Sequence, residues 1–262
     1  MVNALEAVFA RCREEDRAAL VAYLPAGYPD LQTSIEAVRA VAESGADVVE
    51  VGVPYTDPLM DGPVIEQAAS QALSSGFRFA QVLDVVRAVH EAGAVPVVMS
   101  YWNPVLSYGP ARFAGDLAAA GGAGLITPDL IPDEAQEWRD AAADHGVAPI
   151  FLVAPSSTDE RLAMTVRACR GFVYVASTMG VTGARDEVGE GARRLVERTR
   201  AVTDLPLCVG LGVSTRGQAA QIASYADGVI VGSALVRAIG DDPALGGLRE
   251  LTHELAEGVR GR

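Results

Sequence analysis

Residues 46–63 read ADVVEVGVPYTDPLMDGP. The run ADVVEVG (46–52) is a candidate strand, with Glu50 set inside its β-branched apolar part. The loop after it is stiffened by Pro54, Pro58 and Pro63, freed to turn at Gly62, and carries Asp57 and Asp61. A near-continuous apolar run of this length predicts a strand buried on both faces, as in a parallel sheet. Seven more runs of this kind follow or precede it: LVAYL (20–24), VPVVMS (95–100), AGLITP (123–128), APIFLV (148–153), GFVYVA (171–176), LPLCVG (205–210) and DGVIVG (227–232).

Between the runs lie helical patterns. Leu31, Ile35, Val38 and Val41 share a helical face, and Leu83, Val86 and His90 roughly share another. Ser157-x-x-Glu160 reads as a capping box. Ser44-Gly45, Ala92-Gly93 and His145-Gly146 read as helix ends. Eight βα units in a chain of 262 residues predict an α/β fold, a single (β/α)8 TIM barrel over residues 1–262. A helix at about 3–18 precedes the barrel and one at about 244–258 closes it. A doubly wound open sheet is the competing architecture, and eight similar units in series favour closure.

The net charge is −13, which argues against a nucleic-acid partner or an anionic membrane surface. No apolar run is long enough to span a bilayer, and the N-terminus lacks the basic head of a signal peptide, so a cytoplasmic protein is expected. All 21 basic residues are arginine. The chain therefore has no lysine for an imine, for covalent pyridoxal phosphate or for a P-loop. Cys12, Cys169 and Cys208 are widely spaced and are expected to be small buried hydrophobes. His90, His145 and His253 fall in helical segments without metal-ligand spacing, and no Cys-x-x-Cys occurs, so no metal site is expected. There is no G-x-S-x-G elbow, and no GxGxxG follows the first run. Proton transfers are left to carboxylates.

In a barrel, function belongs at the carboxyl ends of the strands. Glu50 shares a strand face with Gly52, opposite Val49 and Val51. If that face points inward, lost solvation raises its pKa toward neutrality. A buried acid paired to an arginine is the structural alternative, but no arginine lies in this strand or its loop. Asp57 and Asp61, beside Pro58 and Gly62, also suit ordinary turns. The late strands end in glycine-rich stretches, GVTG (180–183), GLGVS (210–214) and VGS (231–233), with Ser214 and Ser233 at expected helix N-caps. Backbone N–H groups at such turns bind phosphate without a basic side chain, which predicts a phosphorylated substrate. The connection STMGVTGARDEVGEG (177–191) is long and polar, as a closing lid would be.

EVGVPYTDPLMDGP (50–63) resembles the signature of the tryptophan synthase alpha chain family. So do MSYWNPVLSYG (99–109), PDLIPDE (128–134), STMGVTGAR (177–185), GLGVS and VGSALV (231–236), in the family's order and together spanning roughly residues 5–258. The resemblance implies a retro-aldol lyase that cleaves indole-3-glycerol phosphate to indole and glyceraldehyde 3-phosphate. It assigns Glu50 the acid/base role. Asp61 accepts a hydrogen bond from the indole N–H and stabilises the indolenine cation. Tyr174 and the lid residue Thr182 match further catalytic positions. Gly183, Gly212, Gly232 and Ser233 match the phosphate site, and Tyr23, Tyr101 and Leu211 the ring pocket. The family's partner is a beta chain that carries pyridoxal phosphate, in an alpha2-beta2 assembly; this chain itself is expected to hold no cofactor. Loops 53–61 and 99–109 and the helix after 130 would meet that partner. Met60, where the family usually has a small residue, and Leu211, where many members have phenylalanine, depart from the pattern. The same residues would serve a free-standing lyase. A catalytically silent subunit that activates a beta chain, or a phosphosugar isomerase, are readings from other classes.

Overall fold

The computed structural model describes residues 3–176, 185–210 and 212–261. The strands are β1 (Ala19–Pro25), β2 (Val48–Gly52), β3 (Val95–Met99), β4 (Gly124–Ile126), β5 (Ala148–Ile150), β6 (Leu152–Val153), β7 (Val173–Ala176), β8 (Leu207–Gly210) and β9 (Gly228–Val231). All pairings are parallel, in the order β5-β4-β3-β2-β1-β9-β8-β7-β6. Only Phe151 separates β5 from β6. The two are halves of one barrel strand, the first pairing with β4 and the second with β7. The (β/α)8 barrel is therefore closed through this strand, as expected.

Strand periodicity sorts the side chains into two cores. Val21, Val48, Val97, Ile126, Cys208 and Ile230 belong to the cluster inside the barrel. Leu20, Val49, Val51, Val98, Val209 and Val229 belong to the outer cluster, against the helices. Glu50 thus shares the inward face with Val48. The helix Ala4–Glu14 buries Leu5, Val8, Phe9 and Cys12 in the inner cluster and plugs the amino-terminal end of the barrel. It is shorter than the span 3–18 read from sequence. Its N-cap Asn3 accepts from Leu5 N at 2.9 Å, while its amide donates to the Ala123 and Gly146 carbonyls at 3.0 and 2.9 Å. At this end Arg17 grips Asp47 through two bonds of 2.7 and 2.8 Å, and Asp47 also accepts from Leu20 N at 3.0 Å. The C-terminal helix is Gly246–Arg260.

All three cysteines are buried and unbridged; burial pushes the Cys12 thiol up to about 11 and Cys169 up to about 12. His90, His145 and His253 are exposed on helices. Two sequence-read caps lie one residue too early. Thr158, not Ser157, caps the helix Asp159–Ala168; Ser157 Oγ instead accepts from Ala154 N at 3.1 Å. Thr215, not Ser214, caps Arg216–Ala223. No helix among the described residues is long and apolar enough to cross a membrane.

Candidate active site

The carboxyl ends of the strands open into a cavity of about 180 Å³. Glu50 lies at its base. The strand register sets it beside Tyr23 on β1 and Val97 on β3. Its side chain is fully buried, and among the described residues neither carboxylate oxygen has a hydrogen-bond partner. Burial, reinforced by the charge of Asp61, raises its pKa from 4.5 to about 8. At neutral pH this carboxyl is mainly protonated.

Asp61 comes from the loop between β2 and the helix Pro63–Ser74. It is half-buried. Burial also raises its pKa, with a smaller push from Glu66, while the Tyr101 hydroxyl 3.4 Å from Oδ1 works in the opposite direction. The loop is fixed at both ends. Val53 N donates to the Met99 carbonyl at 2.8 Å, and the Tyr101 oxygen accepts from Leu59 N and Met60 N, each at 2.9 Å.

Tyr23 and Tyr174 form part of the wall. Burial raises the pKa of both phenols, so they stay neutral donors. Each lies against a glycine that leaves it room. A Cβ on Gly52 would stand 2.3 Å from the Tyr23 hydroxyl, and one on Gly210 2.8 Å from that of Tyr174. Met60, Ile65, Met99, Leu152 and Ile230 supply apolar lining. At the far side lie Gly212, Gly232 and Ser233. Gly212 is left-handed at φ +50°. Gly232 is the N-cap of the helix Ser233–Asp241, which has no side-chain cap, so Ser233 is its first residue rather than its cap. Among the described residues no side chain accepts from its first-turn N–H groups.

Sequence-predicted residues from β1, β2, β7, β8 and β9 and their loops thus meet around one cavity. Tyr101 is not among the lining residues; it stands behind the Asp61 loop. Thr182, Gly183 and Leu211 lie outside the described residues. The connection read over 177–191 is shorter than expected, because Arg185–Arg200 is helical. Met99, Leu152 and Ile230 were missed as lining. Their signal was available: each sits on an inward strand position in step with Glu50. Ile65, on the helix after the loop, gave none. Among the described residues no group of three or more His, Cys, Asp or Glu side chains could hold a metal. A protonated acid below, a second acid at the loop and apolar walls between suit proton transfer to a largely apolar substrate, with an anion placed to face positive charge.

The sequence matches the family described as "Tryptophan synthase alpha chain" over residues 9–258. The tryptophan synthase alpha chain of Mycobacterium marinum is 63% identical over 255 residues, covering 97% of this chain and 94% of the relative. That of Nocardia farcinica is 64% identical over 252 residues, covering 96% and 94%. Among solved structures, a Mycobacterium tuberculosis tryptophan synthase superposes with a TM-score of 0.94 at 60% identity, over 99% of both chains. The alpha subunit from Legionella pneumophila gives 0.88 at 30% identity, over 99% of this chain and 98% of that one. A barrel closed through a split strand, a buried acid at its mouth and a family match spanning nearly the whole sequence agree: the chain belongs to the tryptophan synthase alpha chain family.

Proposed function

We propose that Glu50 and Asp61 divide the chemistry of the alpha reaction between them. The chain is a lyase of this family and cleaves indole-3-glycerol phosphate to indole and glyceraldehyde 3-phosphate, a step in tryptophan biosynthesis. The observation that carries the division of roles is the state of Glu50: buried, without a partner among the described residues, and protonated at neutral pH. Glu50 gives its proton to indole C3. Positive charge then develops at the ring nitrogen, where the Asp61 carboxylate accepts the N–H bond and stabilises the cation. The Glu50 carboxylate next takes the proton of the glycerol hydroxyl. The bond from that carbon to the ring breaks, its electron pair restores the aromatic ring, and the carbon becomes an aldehyde. Glu50 ends protonated, as it began, so the cycle closes without a metal or an imine.

Tyr174 and Thr182 complete the catalytic set in this reading, with Tyr23 and Leu211 against the ring. The phosphate binds at Gly183, Gly212, Gly232 and Ser233. The start of Ser233–Asp241 supports this, since a helix N-terminus with no side-chain cap among the described residues suits an anion even in an acidic chain. One barrel over residues 1–262, acting in the cytoplasm without a cofactor of its own, suffices for all of it.

The partner is a tryptophan synthase beta chain carrying pyridoxal phosphate, in an alpha2-beta2 assembly. Among the described residues five large apolar side chains are exposed, and four of them, Leu59, Met60, Leu106 and Ile131, lie in or beside the segments expected at that contact. The test is indole release from indole-3-glycerol phosphate by the pure chain, with and without a beta chain. Slow release that rises sharply with the beta chain is expected. Fast release indifferent to it would point to a free-standing lyase, and none in either case would overturn the enzymatic reading.

A further inference from the structure

Tyr101 is 5% exposed and faces the back of the Asp61 loop rather than the cavity. Its backbone is anchored independently of that loop. It is the N-cap of the helix Trp102–Tyr108, whose first N–H, on Trp102, donates to both oxygens of Asp129 at 2.9 and 3.1 Å. Its ring also meets the same loop at Tyr55, with centroids 5.3 Å apart. From this fixed base the phenol oxygen accepts from Leu59 N and Met60 N at 2.9 Å each, and its proton points to Asp61 Oδ1 at 3.4 Å. A phenol oxygen has one proton and two acceptor positions. All three are spent on three consecutive residues of one loop.

We propose that Tyr101 is the positioning residue for Asp61: it clamps the loop backbone from the neighbouring strand's connection and gives the carboxylate its hydrogen bond. The two amide donors polarise the O–H and strengthen its donation to Asp61. Leu59 and Met60 expose their side chains while their amides are held by Tyr101. A partner pressing on that surface therefore acts on Asp61 through this oxygen. The inference rests on the reading of Asp61 as the carboxylate at the ring nitrogen.

Tyr101→Phe keeps the ring against Tyr55 and removes only the oxygen. Among the described residues the titratable groups facing Asp61 are Glu50, Glu66, Tyr23, Tyr101 and Tyr174. Of these, Tyr101 is the one whose hydrogen bond opposes the effect of burial on Asp61. In the Phe variant kcat should fall about tenfold, because the hold on two loop amides and the long contact to Asp61 are lost together. KM should change little, because the phosphate end is untouched. The acid limb of the kcat profile should move to higher pH, since Asp61 must stay ionised and has lost its stabilising donor. In an Asp61→Asn background the same change should cost less than about twofold, as expected when two groups act as one unit. An unchanged kcat and acid limb, beside a wild type that turns over, overturns the proposal alone. So does a loss of activity that only follows a fall in Tm, with the acid limb in place, or costs that add in the double variant. A wild type that releases no indole overturns this inference together with the reading beneath it.

Discussion

Glu50 ionises near 4.5 in solvent and at about 8 inside the barrel. The folded chain therefore keeps a proton that the unfolded chain releases. Its contribution to stability is fully present below pH 4.5, declines as pH rises, and is lost once pH passes the folded value of about 8. The loss is on the order of a few kcal/mol. Glu50→Gln cannot release a proton. It should cut kcat by about 10²–10⁴-fold, as loss of a general acid–base does, yet raise Tm above that of the wild type at alkaline pH. Parallel Tm curves for the two proteins from acid to alkaline pH would show that Glu50 ionises as an ordinary carboxyl. The wild-type kcat/KM should also decline as pH rises through about 8, where the free enzyme loses the proton it must donate. Glu50 could be found in the sequence because it is a lone charge in an apolar run. Its direction could not: periodicity pairs it with Gly52 but does not say which face is inside. That answer comes from Val48 packing with Val21, Val97 and Ile230. The clasp of Tyr101 on two backbone amides left no trace in the sequence at all, since every residue carries such an amide.

At the scale of elements, each predicted strand is present, but most of the ladders are shorter than the apolar runs. Residues 171–176 were read as strand and Val173–Ala176 pair. Gly171 is left-handed at φ +74°, and a Cβ there would stand 2.7 Å from Leu5. It is buried by the plug helix rather than by a ladder. Hydrophobic runs record burial, and burial continues past the last hydrogen bond. The caps failed for a related reason: Ser157 and Thr158 are adjacent and both can accept, so composition could not choose between them. Glycines on the strands record close packing between elements. Gly52 on β2 pairs with Pro25 on β1, and its carbonyl accepts from Ala26 N at 2.8 Å, so the backbones cannot separate freely. A Cβ at Gly52 would also stand 2.6 Å from two carbons of the Tyr23 ring. Gly52→Ala should therefore expel the ring, lower stability by about 1–3 kcal/mol and reduce kcat. Tyr23→Ala in the same chain should recover part of the loss, so that the double variant is more stable in urea than the two single costs predict. A Gly52→Ala protein as stable as the wild type would mean that the ring has another place to go.

At the scale of the molecule, the barrel has a sealed end and a working end. The plug helix and the Arg17–Asp47 grip occupy the amino-terminal side of the strands, and the inner apolar cluster fills the barrel from there up to the cavity. The cavity with Glu50 and Asp61 opens at the carboxyl side. Stability and chemistry are thereby placed on different layers of the same strands, which a substitution in the plug can test. Phe9 is 4% exposed and meets Phe172 with ring centroids 5.8 Å apart. Phe9→Ala leaves a cavity beneath the barrel that the closed ring of strands cannot collapse to fill. It should cost about 3–5 kcal/mol in urea or guanidinium unfolding. At 25 °C the folded protein should still release indole within about twofold of the wild-type rate, because the void lies at the end of the strands remote from the cavity and stiff strands separate the two. A kcat that falls in step with stability, while the protein remains folded, would show that the inner layers are coupled and that packing at the sealed end sets the geometry of Glu50.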